Sequence, residues 1–375
     1  MSAEERRRPS RLHLPMWWAT LSVALLLLLT YLSVRISPVR FWPAAFLGIA
    51  FPYLALLNFI ALAYWAVFRR KRMLVPVAVL LIGWAHHGDF LRLVPDRKGP
   101  APIEGRTDFS VMSYNVRLFD LYNWSGNIRT RNEIFDLFAT EAPDVLCLQE
   151  FYRSSEKGFF NTRDTLLKHF HWRHLHEEYT QERQQHHFGM ATYSTFPIVG
   201  KGVIHFPDDL NNLCIWTDLA VGHDTIRVYN AHIASLRFGD EDYRFMQSLD
   251  RSVPRDSLKQ AGKRILQRLR NGFIRRAPEV ERIATHMRQS PHPVVFCGDL
   301  NDTPMSYGYR TLRGPLKDAF VESGSGLGHT YVGAFPSFRI DHILHAAPIR
   351  SWAFRTLPDE LSDHRPITCR MRVER

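Results

Sequence analysis

The chain has 375 residues, a net charge of +11 and 45% hydrophobic residues. That length holds one large domain or two small ones, and a basic balance by itself would suggest a nucleic-acid partner. The distribution argues against that reading: through Arg72 ten Lys/Arg face two acids, which leaves only +3 to everything that follows.

The excess charge sits beside apolar runs, where it sets membrane orientation. Residues 16–34 carry no charge and are enough to cross a hydrocarbon core of about 30 Å. A signal peptide would need a small-residue cleavage site before the next apolar stretch, and none is present. Residues 44–68 form a second run, interrupted only by Pro52 and Asn58, both tolerated in membrane helices when neighbours satisfy them. A third run starts at Met73 and soon meets His86, His87 and Asp89. It reads as a span reaching about Val94, or as a shorter re-entrant segment. Adjacent residues on a helix point about 100° apart and cannot chelate together, so His86 and His87 read as interfacial residues closing the run. Arg6, Arg7, Arg8 and Arg11, like the cluster at 69–72, should be cytoplasmic. With a third crossing, the rest of the chain lies on the outer, non-cytoplasmic face. The expected organisation is a membrane anchor over 1–94 with spans near 16–34, 44–68 and 73–94. A Pro/Gly-punctuated linker over 95–105 and a soluble domain over 106–375 follow.

The soluble part alternates β-type runs with helical stretches. Runs at 109–116 and 144–149 flank a helix near 131–140. Runs at 214–221 and 225–233 flank Gly222-His223-Asp224, a hairpin signal. A long, charged, helically periodic stretch covers 258–288 with a break near Ala277-Pro278, and further strands fall at 293–297, 340–345, 352–357 and 366–373. This pattern predicts layered sheets with helices outside. Cys147, Cys214, Cys297 and Cys369 each lie inside an apolar run without C-x-x-C spacing and read as small buried hydrophobes.

The chemistry lies where the strands end. Polar residues of metal or phosphate type close almost every one: S-Y-N-V-R at 113–117, L-Q-E at 148–150, N-A-H-I at 230–233, G-D-L-N-D at 298–302, R-I-D-H-I at 339–343 and S-D-H-R-P at 362–366. A sheet gains nothing from such residues at the ends of buried strands unless they converge on a site. Singly, each motif has a bland reading: G-D-x-N is also a turn, and an Asp-His pair also a surface hydrogen bond.

Together and in this order they resemble the endonuclease/exonuclease/phosphatase superfamily, over residues 107–373. The resemblance implies an α/β fold, a four-layer αββα sandwich of two packed sheets with helices outside, here preceded by two or three transmembrane helices. It implies that Asn115 and Glu150 hold a metal, with Asp363 beside them in the terminal Asp363-His364 pair. His232 would contact phosphate, Asp299 and Asn301 would position and activate water, and Asp341 would orient His364. The segment 189–194 resembles the family's central strand, but Thr195 stands where a basic residue is usual. Oxygen ligands independently suit a hard ion, Mg²⁺ or Mn²⁺, rather than zinc.

The expected function is metal-assisted, in-line hydrolysis of a phosphodiester or phosphomonoester by a membrane-anchored enzyme. The lipid bilayer would be its only partner besides substrate. Two alternatives stand beside it: a nuclease acting on DNA or RNA, and a non-catalytic membrane adaptor on the same fold. Lys263, Arg264, Arg268, Arg270, Arg275 and Arg276 read as a solvated helix face or as a polyanion contact. Trp124, Phe159, Phe160, His169 and Trp172 read as core or as a lipid or base pocket.

Overall fold

The computed structural model describes residues 13–93, 99–101, 103–156, 158–235, 255–333 and 338–374. The basic residues at 6–11 and part of the expected linker (95–98 and 102) lie outside the described residues. The chain divides into two compact units, the first over 1–88 with 305–307, the second over 89–304 with 308–375.

In the first unit, α1 (His13–Ser33), α2 (Pro38–Phe41) and α3 (Ala44–Phe68) are followed by α4 (Leu74–Ile82) and α5 (Trp84–His87). At about 1.5 Å per residue, α1 and α3 with 21 and 25 residues reach about 30 Å or more and are long and apolar enough to cross a membrane. They pack together, and several of their polar groups are satisfied internally. Trp65 Nε1 donates to Thr20 Oγ1 at 2.9 Å, and Asn58 Nδ2 donates to the carbonyl of Leu54 at 2.9 Å. Pro52 lies inside α3 without ending it. The third apolar run is not one continuous helix: α4 stops at Gly83 after nine residues, and α5 adds four. Asp89, expected inside the third span, instead belongs to the second unit.

The second unit is built on two six-stranded sheets. The strands are β1 (Asp108–Asn115), β2 (Val145–Ser154), β3 (His174–Arg183), β4 (His186–Ser194), β5 (Ile198–His205), β6 (Leu213–Val221), β7 (Asp224–His232), β8 (Val294–Asp299), β9 (Lys317–Asp318), β10 (Asp341–His345), β11 (Ile349–Thr356) and β12 (Ile367–Val373). One sheet has the order β11-β12-β1-β2-β4-β3, the other β5-β6-β7-β8-β10-β9. Both are mixed: β1 runs parallel to β2 and β7 parallel to β8, while their remaining neighbours are antiparallel. The segment expected as a central strand, within β4, lies next to an edge of its sheet.

The period of two along β1 divides the core. Phe109 and Val111 point into the layer between the sheets with Val228, Cys297, Ile343 and Cys369. Met112 and Tyr114 point to the other face, against Ile134 and Phe138 of α6 (Thr130–Glu141) and Trp172. Because β1 is covered on both faces, its sequence is almost continuously apolar. The second sheet is covered outside by α8 (Arg255–Arg288), which follows α7 (Thr162–His169), with Tyr229 of β7 meeting His286 Nδ1 at 2.8 Å. The break expected near Ala277-Pro278 does not occur; α8 runs through Pro278. The β6–β7 hairpin forms as expected, with Gly222 at φ +61 supplying the left-handed residue that a tight primed turn requires. All four cysteines are buried and free. Two short helices, α9 (Tyr307–Arg313) and α10 (Ala319–Ser323), complete the unit.

Candidate active site

Strand register brings the expected residues to one end of both sheets. In the second sheet His232, the last residue of β7, pairs with Asp299, the last of β8. Asp341, the first residue of β10, pairs with Asp299 from the other side. In the first sheet Asn115 ends β1 opposite Gln149. Glu150 follows inside a bulge of β2, where the pairing with β4 shifts between Leu148 and Phe151. Its φ of +49 is a left-handed conformation that a strand residue adopts only under constraint. The bulge re-aims one side chain without breaking the strand, and here that side chain is the carboxylate.

Asn115 joins the two sheets at the site. Its Nδ2 donates to Glu150 Oε1 at 3.2 Å and to Asp299 Oδ2 at 3.1 Å, while Oδ1 accepts the Arg117 amide at 3.1 Å. In this conformation Asn115 therefore spaces the carboxylates with its amide nitrogen, and its oxygen faces the chain. Asn301, at φ +50, steadies Asp299 from the other side. Its backbone N–H donates to Asp299 Oδ1 at 2.8 Å and its Nδ2 to Asp299 Oδ2 at 3.2 Å. His364 Nδ1 stands 2.9 Å from Asp341 Oδ2, and its Nε2 faces Asp299 Oδ2 at 3.6 Å. His232 Nε2 lies 3.5 Å from Glu150 Oε1 and 3.7 Å from Asp299 Oδ2. Asp363 is held at the rim by the Ser362 hydroxyl at 3.2 Å and by Arg117 at 3.5 Å.

The electrostatics divide the two histidines. Burial disfavours the His364 imidazolium, but Asp341 and Asp299 outweigh it and hold its pKa well above the ordinary value. Burial lowers the pKa of His232, only partly opposed by Asp299, so it is kept neutral. Enclosure and the neighbouring Asp363 push Glu150 upward. Burial raises Asp299 too, with Asp341 adding to it and His364 opposing.

Asp299, Asp341 and His364 offer ligand atoms within 4.8 Å of one another. A charged imidazolium has no lone pair for a cation, so this trio is better described as an ion pair beside a carboxylate. The fit for a hard cation lies with the oxygens. Asp341 Oδ1 is buried without a hydrogen-bond partner, and the crowding of Glu150 and Asp299 is what a divalent ion would relieve.

Several neighbouring residues have roles that the motifs did not reveal. Gln149, read with Glu150 as a strand end, is a bridge between the sheets: its Nε2 donates to Asn230 Oδ1 at 2.7 Å and to Ser113 Oγ at 3.1 Å. Arg117 lies 4.6 Å above the ring of Trp124. Trp124 and Phe159 are exposed, whereas Trp172 is core. Of the basic helix residues, Arg276 is buried rather than presented to solvent. Thr195, in the position where a basic residue was expected, donates its amide to the Asp144 carbonyl at 2.9 Å.

The profile of the Endonuclease/Exonuclease/phosphatase family matches residues 112–364, and a profile described as a domain of unknown function matches residues 13–90. No curated protein sequence matches. Among solved structures, an endonuclease/exonuclease/phosphatase from Beutenbergia cavernae DSM 12333 is similar with a TM-score of 0.50 at 18% identity, over 72% of each chain. A family protein from Bacteroides thetaiotaomicron is similar with a TM-score of 0.51 at 16% identity, over 72% of this chain and 99% of that one. At these identities the likeness is one of fold.

Proposed function

The chain belongs to the endonuclease/exonuclease/phosphatase family, whose members act on phosphate esters, and from that premise we propose a membrane-anchored, Mg²⁺- or Mn²⁺-dependent phosphodiesterase. The observation that carries this reading is the convergence of Glu150, Asp299 and Asp341 with one charged and one neutral histidine, in contacts of 3.7 Å or less. A non-catalytic adaptor would have no use for such a concentration of buried carboxylates, which is costly to hold.

Glu150, flanked by Asn115 and Asp363, would hold the ion. When bound, such an ion supplies Lewis-acid polarisation of the phosphoryl oxygen and stabilisation of the leaving oxygen. Asp299 orients a water and takes its proton, and its raised pKa moves it toward the range in which a base works near neutrality. Asn301 fixes that carboxylate through two hydrogen bonds. His364, kept charged by Asp341, donates to the phosphoryl group as negative charge develops. Neutral His232, whose Nε2 is buried without a partner, donates to a second phosphoryl oxygen.

A pocket of about 320 Å³ opens from Glu150 and His232. Leu118, Tyr122, Phe188 and Met190 line it with Gln181 and Asn211, and Arg183 is its one Lys or Arg among the described residues. This lining suits one compact, largely uncharged group esterified to the phosphate, and offers little to a run of phosphates. It favours a small or lipid phosphodiester, whose concentration at a bilayer the anchor would raise. A second reading, nuclease, is favoured by the exposed Tyr122 and Trp124 beside Arg117, a platform on which a base could stack.

Purified full-length protein in detergent, assayed with Mg²⁺ on bis(p-nitrophenyl) phosphate, sphingomyelin, inositol phosphates, DNA and RNA across a salt series, separates these readings. The first predicts hydrolysis of the small or lipid diesters with little salt dependence. DNA or RNA cleavage that falls roughly a thousandfold between low and moderate salt would establish the second in its place.

We assign the anchor to α1 and α3. Two crossings leave the cluster at 69–72 on the cytoplasmic side, so the proposed outer position of the catalytic domain requires that the run at 74–87, broken at Gly83, make a third crossing.

A further inference from the structure

We propose that Arg276 and Glu279 form a positioning pair that locks the two loops carrying His232 and Asn301 into one rigid floor. This rests on the catalytic reading above. The two residues lie three apart on one face of α8 and are only 3% and 4% exposed. Burying two ionisable groups so deeply is costly, and the contacts that offset this cost fall on the two catalytic loops.

Glu279 Oε2 accepts the backbone N–H of Ala234 at 2.8 Å, and Arg276 Nε donates to the carbonyl of the same residue at 2.9 Å. Both main-chain groups of Ala234, two residues after His232, are thus held from one helix. The same guanidinium reaches across to the next strand's loop, where Arg276 Nη1 lies 3.1 Å from Asp302 Oδ2, one residue after Asn301. The loops also touch directly: Asn301 Nδ2 donates to the Ile233 carbonyl at 3.1 Å, and the Ile233 amide to the Asp299 carbonyl at 3.1 Å. Asn301 holds a left-handed backbone, which asparagine tolerates better than most residues and which its neighbours can fix in one geometry. Arg276 grips the residue that follows it, and so supplies that constraint without touching the reaction centre.

Glu279 faces the Ala234 amide, Arg276 and Arg275 of its own helix, and Asp209 from the β5–β6 connection. Arg275 turns to the side, toward Asp209 at 3.4 Å and the Ser235 carbonyl at 3.3 Å. It braces the end of the same loop.

The test compares Arg276→Met, Arg276→Lys and Glu279→Gln with wild type in the full-length protein, by amide hydrogen exchange and by steady-state hydrolysis of bis(p-nitrophenyl) phosphate. In Arg276→Met, exchange should rise about tenfold or more in both loops, 232–235 and 299–303, with the strands unchanged. kcat should fall about 10- to 100-fold with KM within about twofold, as expected for misplacement of catalytic groups. Arg276→Lys, which keeps the charge but not the fork, should restore part of both effects. If Arg276→Met does not fold, the lysine variant and Glu279→Gln carry the test, each loosening the 232–235 loop with a matching loss of kcat. Folded variants with unchanged exchange in the loops would overturn the proposal. So would loosened loops with an unchanged kcat. If wild type hydrolyses no phosphodiester, the proposed function fails, while the exchange data alone decide whether the pair locks the loops.

Discussion

His364 Nδ1 and Asp341 Oδ2 stand 2.9 Å apart although 23 residues separate them. Both side chains are nearly inaccessible, so each fixes the charge and the direction of the other. Burial alone would discharge the imidazole; Asp341 and Asp299 keep it protonated above its ordinary range. A histidine raised in this way contributes stability that is fully present below its unfolded pKa of about 6.5. That stability is lost as pH rises through the higher folded value.

Asp341→Asn removes one of the two carboxylates that raise His364. The imidazole titration followed by NMR should move to lower pH by about one unit or more. The alkaline limb of the activity profile should move with it. An unchanged titration in the folded variant would show that Asp341 does not govern the charge.

Glu150→Gln keeps the shape of the side chain and its contact with Asn115 but removes the charge proposed to hold the ion. Loss of an outer-shell partner typically costs 10–100-fold, so this ligand change should cost at least ~100-fold in Mg²⁺-dependent turnover. Circular dichroism should stay unchanged. Near-normal Mg²⁺-dependent turnover would show that the ion is held elsewhere.

Asp89 opens the catalytic unit with its side chain 1% exposed between Arg310 and Arg313. Its carbonyl accepts Arg339 Nη2 at 2.9 Å. Asp89→Ala removes the carboxylate shared by Arg310 and Arg313 while keeping the carbonyl that Arg339 meets, and should destabilise the domain by about 3 kcal/mol, the cost typical of breaking a buried pair. Denaturant titration measures it. By the same argument a fragment starting at Arg106 should be less stable than one starting at Asp89; that result would place the working domain boundary upstream of the expected linker.

A reporter active only outside the cytoplasm should give signal when fused after Arg375 and none when fused after Arg72. Signal from the second fusion, or silence from the first, would reverse the assigned side of the membrane.

The sequence alone determined the pieces with local or periodic signatures. The apolar runs at 16–34 and 44–68 became α1 and α3, because unbroken hydrophobicity of that length has few other uses. Strands 109–116, 214–221 and 225–233 were found within a residue of their ends, because burial on both faces or a glycine turn writes itself into adjacent residues. The candidate site residues were legible as polar types at strand ends: Asn115, Glu150, His232, Asp299 and Asn301 follow apolar runs, and Asp341, Asp363 and His364 lead into them. Tertiary structure alone decided what depends on pairing between distant segments. The bulge and left-handed φ at Glu150 arise from the register of β2 against β4. The raised pKa of His364 arises from carboxylates on two other strands. Arg276 looked like one more cation on a basic helix until Ala234 and Asp302 came within its reach. A side chain's type is written in the sequence, but its charge state and its work are set by neighbours that only the folded chain brings within a few ångströms.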